Sequence, residues 1–420
     1  MTESDSLPLV TNDAVTLGIL VLCLGAVFVT SNIKHGFWKR FYQFVPVLLM
    51  CYLLPSIFNS LGIISGDQSN IYYVVSRYLL PASLVLLTLS IDLQKIRKLG
   101  FKAVVMFLTG TLGILIGGPL AILLVSLVSP ETVGGAPPNE IWRGMTTIAG
   151  SWIGGGANQA AMYETWQVSE DIFPSMIAVD IIVGNLWTAV LLFMAARAKQ
   201  LDAKRGADAS AIDEVREHVE HFERQHARIP SLNDLMIILA IGLGATGVGH
   251  LLADFIAPWI SNNYPELKKF SLGSQFFWLV VIATTIGLAL SFTKAKLLEG
   301  AGASKIGSVF VYILVASIGM KMDITAVVNH WEIFIVGLIW ISIHAGLLFL
   351  VARLIKAPTF FIAVGSQANV GGAASAPIIA SAFHPSLAPV GVLLAVLGYA
   401  IGTYAAWLCG ILMQMAAPAI

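Results

Sequence analysis

The sequence predicts an all-α polytopic membrane protein made of two inverted repeats, each with about five transmembrane helices plus one glycine-rich segment that is re-entrant or broken. Three observations lead there. The 420 residues are 57% apolar and 11% charged, with a mean hydropathy of +0.82. Soluble chains average about 45–50% apolar and about 25% charged, so this chain has too little polar surface to coat a water-soluble globule. The charge is also gathered in one place: residues 197–230 carry seven basic and seven acidic side chains. That stretch reads as a hydrophilic connector between two membrane blocks. Finally, each block holds one Gly-rich polar stretch, GSWIGGGANQ at 150–159 and GSQANVGGAAS at 365–375.

Composition excludes several classes. A soluble enzyme, a disordered chain and a nucleic-acid binder do not fit. The net charge of +0 implies no bulk electrostatic partner. Cys23, Cys51 and Cys409 fall inside apolar runs and form neither a disulfide pattern nor a metal-ligand cluster. There is no GxxxxGK[ST] phosphate loop for ATP-driven transport, and no Ser/His or HExxH arrangement for intramembrane proteolysis. No enzymatic activity is expected.

Crossing the hydrocarbon core takes about 20 apolar residues. Six such segments precede the connector, at 14–32, 43–64, 71–91, 101–128, 143–163 and 172–196, and six follow, at 233–256, 273–292, 305–320, 332–353, 358–382 and 386–413. The N-terminus, MTESDSLPLVTND, lacks the basic flank of a secretory signal, so 14–32 reads as a retained span. Three units follow: a first membrane repeat at 1–196, a charged cytoplasmic connector at 197–232 and a second repeat at 233–420.

Basic residues set direction. Lys34, Lys39, Arg40, Lys95, Arg97, Lys98 and Lys102 mark the loops after spans one and three as cytoplasmic, which puts the N-terminus outside. Lys294, Lys296, Lys305, Arg353 and Lys356 require a cytoplasmic connector in the same way. Six crossings cannot join an outside start to an inside connector. The conflict disappears if the fifth segment of each half enters and leaves on one side. Glycine-rich backbone is a poor straight helix, and at membrane depth it is tolerated where it is buried in protein or lines a cavity. A crossing helix broken at its middle is the competing reading. With five crossings per half, 19 of the 24 Lys and Arg fall inside; Arg77, Arg143, Lys268, Lys269 and Lys321 do not.

The halves also match weakly in sequence. Gly150-Ser151 matches Gly365-Ser366 at an offset of 215, Gly184 matches Gly398 at 214, and Asn12-Asp13 matches Asn233-Asp234 at 221. Paired interrupted segments in an inverted repeat are the best sequence pointer to a secondary transporter and its binding site.

The stretches GSWIGGGANQAAMYE (150–164) and GSQANVGGAASAPIIASAFHP (365–385) resemble the YjcL-like family of uncharacterised bacterial membrane proteins, which has relatives in plastids. The resemblance implies membership of the cation:proton antiporter and anion transporter superfamily. The paired tips are also similar to those of the citrate and glutamate symporter families, which implies two inverted halves and elevator-like motion. No substrate carries over.

At the paired tips, Gly155, Gly156, Gly371 and Gly372 let backbone approach a ligand, and Ser151, Asn158, Gln159, Ser366, Gln367, Asn369 and Ser375 offer uncharged hydrogen bonds. Half-helices starting at such tips would aim N–H groups at a small anion, and exposed carbonyls would suit Na⁺. Tight packing through small residues is the plain alternative. Asn158 and Asn369 form the expected pair on the solute.

Ionisable groups inside spans default to function. Asp180 and Arg77 stand about 12 Å and about 9 Å below the outer ends of their spans at 1.5 Å per residue, depths at which they could pair. Asp180 is expected to bind the coupling ion, H⁺ or Na⁺, with Asn185 adding a polar group. A static Asp180–Arg77 ion pair is the competing reading. Weaker candidates are His218, His221 and His226, read as a solvated helix rather than a metal site, His250 and His344 as core histidines, Glu164 as a helix-end acid, and Asp92 and Asp323 as repeat-related helix ends.

The expectation is an ion-coupled secondary transporter of a small anionic solute, elevator-type, with no cofactor beyond the coupling ion. A cation/proton antiporter is the alternative, and a non-transporting scaffold or receptor the third reading. The expected setting is the bacterial inner membrane; the partners are lipid, the solute or ion, and a second copy as a homodimer.

Overall fold

The computed structural model describes residues 8–33, 35–45, 47–66, 68–91, 96, 99–207, 229–321, 331–384 and 387–418. Lys34, Asp92, Lys95, Arg97, Lys98, His218, His221, His226 and Asp323 lie outside the described residues. Among the described residues every regular element is helical. Among the described residues seven helices are long and apolar enough to cross a membrane, or up to nine if each bent pair counts as one span.

The first half begins with α1 (Asp13–Ser31), capped by the Asn12 side chain, which accepts from Ala14 N and Val15 N. The short α2 (Gly36–Phe44) and α3 (Val47–Ser60) follow. α4 (Ile71–Leu89) contains one wide π-type turn at Val75–Leu79. Pro81 explains it. The proline has no N–H to give the Arg77 carbonyl four residues back. His250 Nε2 takes that carbonyl instead, at 2.9 Å, so His250 is a satisfied core histidine. Next come α5 (Phe101–Ser126), α6 (Ile141–Thr165), α7 (Phe173–Ala196) and the connector helix α8 (Ala198–Arg205).

The second half begins with α9 (Leu232–Asn263), which starts in a capping box between Ser231 and Asp234. It continues through α10 (Gln275–Ser291), α11 (Ala303–Gly319), α12 (Ile333–Leu354), α13 (Thr359–Val370), α14 (Gly372–Phe383) and α15 (Ala388–Ala416).

Both Gly-rich segments are hairpins. In α6, Gly155 stands at φ 73°, ψ −173°, which bulky residues avoid. Arm 141–154 then doubles back along arm 156–165. A Cβ on Gly150 would stand 2.6 Å from Asn158 O. At the mouth, Arg143 Nη1 donates to Trp166 O at 2.8 Å across a separation of 23 residues; a straight helix would hold them about 35 Å apart. The second hairpin turns at Gly371 and Gly372, where Gly372 has φ 57°. Gln367 Nε2 reaches across its arms to Ser375 Oγ at 2.7 Å, and the Phe360 and Phe383 rings meet at 5.2 Å at its base.

The helices sort into two layers, each drawn from both halves. In one, α4 packs on α9, α10 and α11, while α1 and α3 pack on α11. The other is the hairpin layer: α5 packs on α12, α13 and α15, α6 lies along α15, and α7 packs on α6, α12, α13 and α14. The mouth of hairpin 1 gathers with the loops near the start of α1. Ser271 Oγ donates to Thr165 O at 2.9 Å, Lys321 pairs with Glu170, and Ser69 Oγ donates to Asp13 Oδ1 at 2.7 Å. This is the N-terminal face. The base of hairpin 2 gathers with the connector. Asp202 Oδ1 accepts from Thr359 N at 2.7 Å and from Thr359 Oγ1 at 2.6 Å, and Lys102 Nζ donates to Lys356 O at 3.1 Å. This is the connector face. Burial there pushes the Arg205 guanidinium below its usual range, and Asp202 beside it opposes the shift.

Candidate functional site

The two hairpin tips meet. A Cβ on Gly372 would stand 4.0 Å from the Cα of Gly155, with nothing else as near. Gly156 faces Val311 of the other layer, and Gly155 faces the Tyr399 ring of α15. Gly155, Gly156, Gly371 and Ser375 keep partial exposure at this seam, and Ser151 keeps 8%.

One helix holds both hairpins. On α7, Asp180 Oδ2 accepts from Ser151 Oγ at 2.7 Å and from Gln159 Nε2 at 3.0 Å, which ties the two arms of hairpin 1 to one carboxylate. Gln159 Oε1 in turn accepts from Tyr52 OH at 3.2 Å, a contact that crosses to the other layer. Two turns further along α7, Thr188 and Gln367 exchange hydrogen bonds at 3.0 and 3.2 Å, and Trp187 Nε1 donates to Ser366 Oγ at 2.7 Å. Between these anchors, a Cβ on Gly184 would stand 3.7 Å from Val370 and 3.9 Å from Trp152 Nε1. That indole N–H is buried close to the Asp180 carboxylate, without a well-formed hydrogen bond.

Ser366 continues a chain into α12. His344 Nδ1 faces Gly110 O at 2.9 Å, and its Nε2 faces Ser366 Oγ at 2.8 Å. A carbonyl only accepts, so Nδ1 carries the proton and Nε2 accepts from the serine. His344 is thus an anchor for hairpin 2.

The two asparagines are fully buried, and protein acceptors take both of their donor hydrogens. Asn158 Nδ2 donates to Gly154 O at 3.1 Å and Tyr399 O at 3.4 Å, and its Oδ1 accepts from Thr403 Oγ1 at 2.6 Å. Asn369 Nδ2 donates to Phe107 O at 3.0 Å and Gly365 O at 2.9 Å, and its Oδ1 accepts from Thr111 Oγ1 at 2.7 Å. Each fastens its hairpin to a neighbouring helix, and neither points to the seam between the tips.

Arg77 and Asp180 do not pair, which corrects the expectation from depth. Arg77 Nη1 meets Glu164 Oε2 at 2.8 Å, at the mouth of hairpin 1. Equal depth leaves the direction around each helix open, and α6 stands between the two residues. Among the described residues Asp180 has no cationic partner. Asn185 is exposed beside Ile182 and Leu186, on a different side of α7 from the hairpins.

Sequence reasoning missed Tyr52, Trp187, Thr188, Thr111 and Thr403. Thr188 stands two turns from Asp180 on the same helix and was within reach of a periodicity argument. Tyr52 sits in an apolar run that gives no signal.

Comparison with known proteins agrees with this picture at the level of family. The uncharacterized membrane protein YjcL of Bacillus subtilis (strain 168) is 23% identical over 401 residues, covering 90% of this chain and 93% of that protein. With the apolar helices, this likeness marks an integral membrane protein. The family model described as "Protein of unknown function (DUF819)" matches residues 18–416, and the chain belongs to that family.

Proposed function

We propose that the chain is an ion-coupled secondary transporter of a small anionic solute. The observation that carries this reading is the meeting of two glycine tips from opposite halves, Gly155 and Gly372, beside Asp180. Backbone without helical pairing at membrane depth needs a function or a cavity to justify it. The second arms of both hairpins start at the seam, so their free N–H groups and positive dipole ends suit a carboxylate or a similar anion. Ser151, Ser375 and Thr188 add hydroxyls.

The halves are read as inverted repeats. The mouth of hairpin 1 lies with the start of α1 and the base of hairpin 2 with the connector. Gly184 on α7 lies between Val370 of hairpin 2 and Trp152 of hairpin 1, and its sequence match Gly398 on α15 faces Ile153 O of hairpin 1. Two layers, each drawn from both halves, suit an elevator in which the hairpin layer slides along the other. The distribution of basic residues supports a cytoplasmic connector and an outside N-terminus, and a bacterial inner membrane is the proposed setting. Asp180 is read as the coupling residue: among the described residues its charge has no counter-ion, so the loaded state would take up H⁺ or Na⁺. Uptake by proteoliposomes tests this. A panel of small organic anions under imposed proton and sodium gradients should reveal gradient-dependent accumulation of at least one; no accumulation of any would remove solute transport.

A cation/proton antiporter is the second reading, favoured by Asp180 alone, which has no cationic partner among the described residues. Dye-reported H⁺ movement on adding Na⁺ or K⁺, without organic solute, would select it.

A further inference from the structure

We infer that Arg77 and Glu164 form the latch that closes the seam toward the N-terminal face. This rests on the transporter reading. Glu164 ends the second arm of hairpin 1, whereas Arg77 belongs to the π-type turn of α4 in the other layer. Their contact is 2.8 Å, with the side chains 25% and 13% exposed. Tyr72 OH donates to the same carboxylate, one turn before Arg77. The guanidinium also lies over the Phe276 ring of α10, 4.4 Å from its centre. A second pair, Lys321 with Glu170, joins the layers beside it, and the Lys321 ammonium stands 5.1 Å from the centre of the Tyr72 ring.

Other interlayer contacts support the latch. Ser271 to Thr165 O and Trp407 Nε1 to Phe270 O, at 2.9 Å each, add to the closure of the N-terminal face. At mid-depth Thr284 meets Thr403 at 3.2 Å, Thr285 meets Tyr404 at 2.7 Å, and Tyr52 meets Gln159. An elevator that carries hairpin 1 along the other layer must part Glu164 from Arg77. The pair therefore sets the balance between the two access states.

The test uses the full chain in right-side-out and inverted vesicles, with an impermeant maleimide as probe. Cys23, Cys51 and Cys409, all buried, are changed to alanine, and Ser375→Cys reports the seam. The parent should be shielded from the N-terminal face. Glu164→Gln should raise labelling from the N-terminal face about tenfold, the effect of shifting the equilibrium by about 1.4 kcal/mol. The swap Arg77→Glu with Glu164→Arg should restore the parent pattern. Lys321→Gln gives the same readout if Glu164→Gln fails to insert. Preferential labelling of the parent from the N-terminal face, or an unchanged pattern in both neutralised variants, overturns the latch and leaves transport standing. A seam that reacts from neither face in every variant overturns both readings.

Discussion

Gly155 and Gly372 stand tip to tip, with 4.0 Å between the Cα of the first and the place a Cβ would occupy on the second. Their tolerance of substitution should nevertheless differ. At φ 73°, ψ −173°, Gly155 occupies a region that is essentially glycine's alone, whereas Gly372, at φ 57°, has a value some L-residues reach in turns. Gly155→Ala should cost about 1–3 kcal/mol and Gly372→Ala about 1–2 kcal/mol. Melting temperatures of the two purified variants check the order. Equal losses would mean that the tips reshape freely.

Asn158→Ala and Asn369→Ala should act on stability before affinity. Each removes two donor contacts and the bond from one threonine hydroxyl, leaving Thr403 with Thr284 and Thr111 with the Phe107 carbonyl. Each lost hydrogen bond is worth about 0.5–1.5 kcal/mol net. Paired measurements of melting temperature and solute affinity separate the outcomes. A normal melting temperature with weakened affinity would return the asparagines to the solute.

Asp180→Asn should leave a folded, inserted protein that has lost its ion dependence, because the amide oxygen still accepts from Ser151 and Gln159 while the charge is gone. Asp180→Leu should also destabilise, as two buried donors lose their acceptor at about 1–3 kcal/mol each. Uptake measured with and without an ion gradient reads the first effect and thermal unfolding the second. Gradient-dependent uptake by Asp180→Asn would sink the coupling role.

Asp202→Ala should loosen the base of hairpin 2. The carboxylate accepts both the backbone N–H and the hydroxyl of Thr359 at the start of α13. Loss of a helix cap costs about 0.5–2 kcal/mol. Combining Asp202→Ala with Thr359→Val should cost less than the sum of the two, since they share one interaction. Strict additivity in unfolding measurements would separate the connector helix from the hairpin.

Composition and periodicity by themselves determined that the chain is helical, apolar and split by a charged connector. Hydrophobic length and charge placement are one-dimensional quantities, and a bilayer filters for both. The parity of crossings against the basic loops also singled out the fifth segment of each half, and both segments are hairpins. Direction around a helix is three-dimensional, and there sequence reasoning ran out. Depth alone offered Arg77 to Asp180, but azimuth gave it to Glu164. Hydrogen-bonding capacity put Asn158 and Asn369 beside a solute, whereas packing turned both toward neighbouring helices and used up their donors. Tyr52, Thr188 and Thr403 gained their roles only when distant helices were brought together. A side chain's partner is set by which face of its helix is buried and against what, and only the tertiary structure decided that.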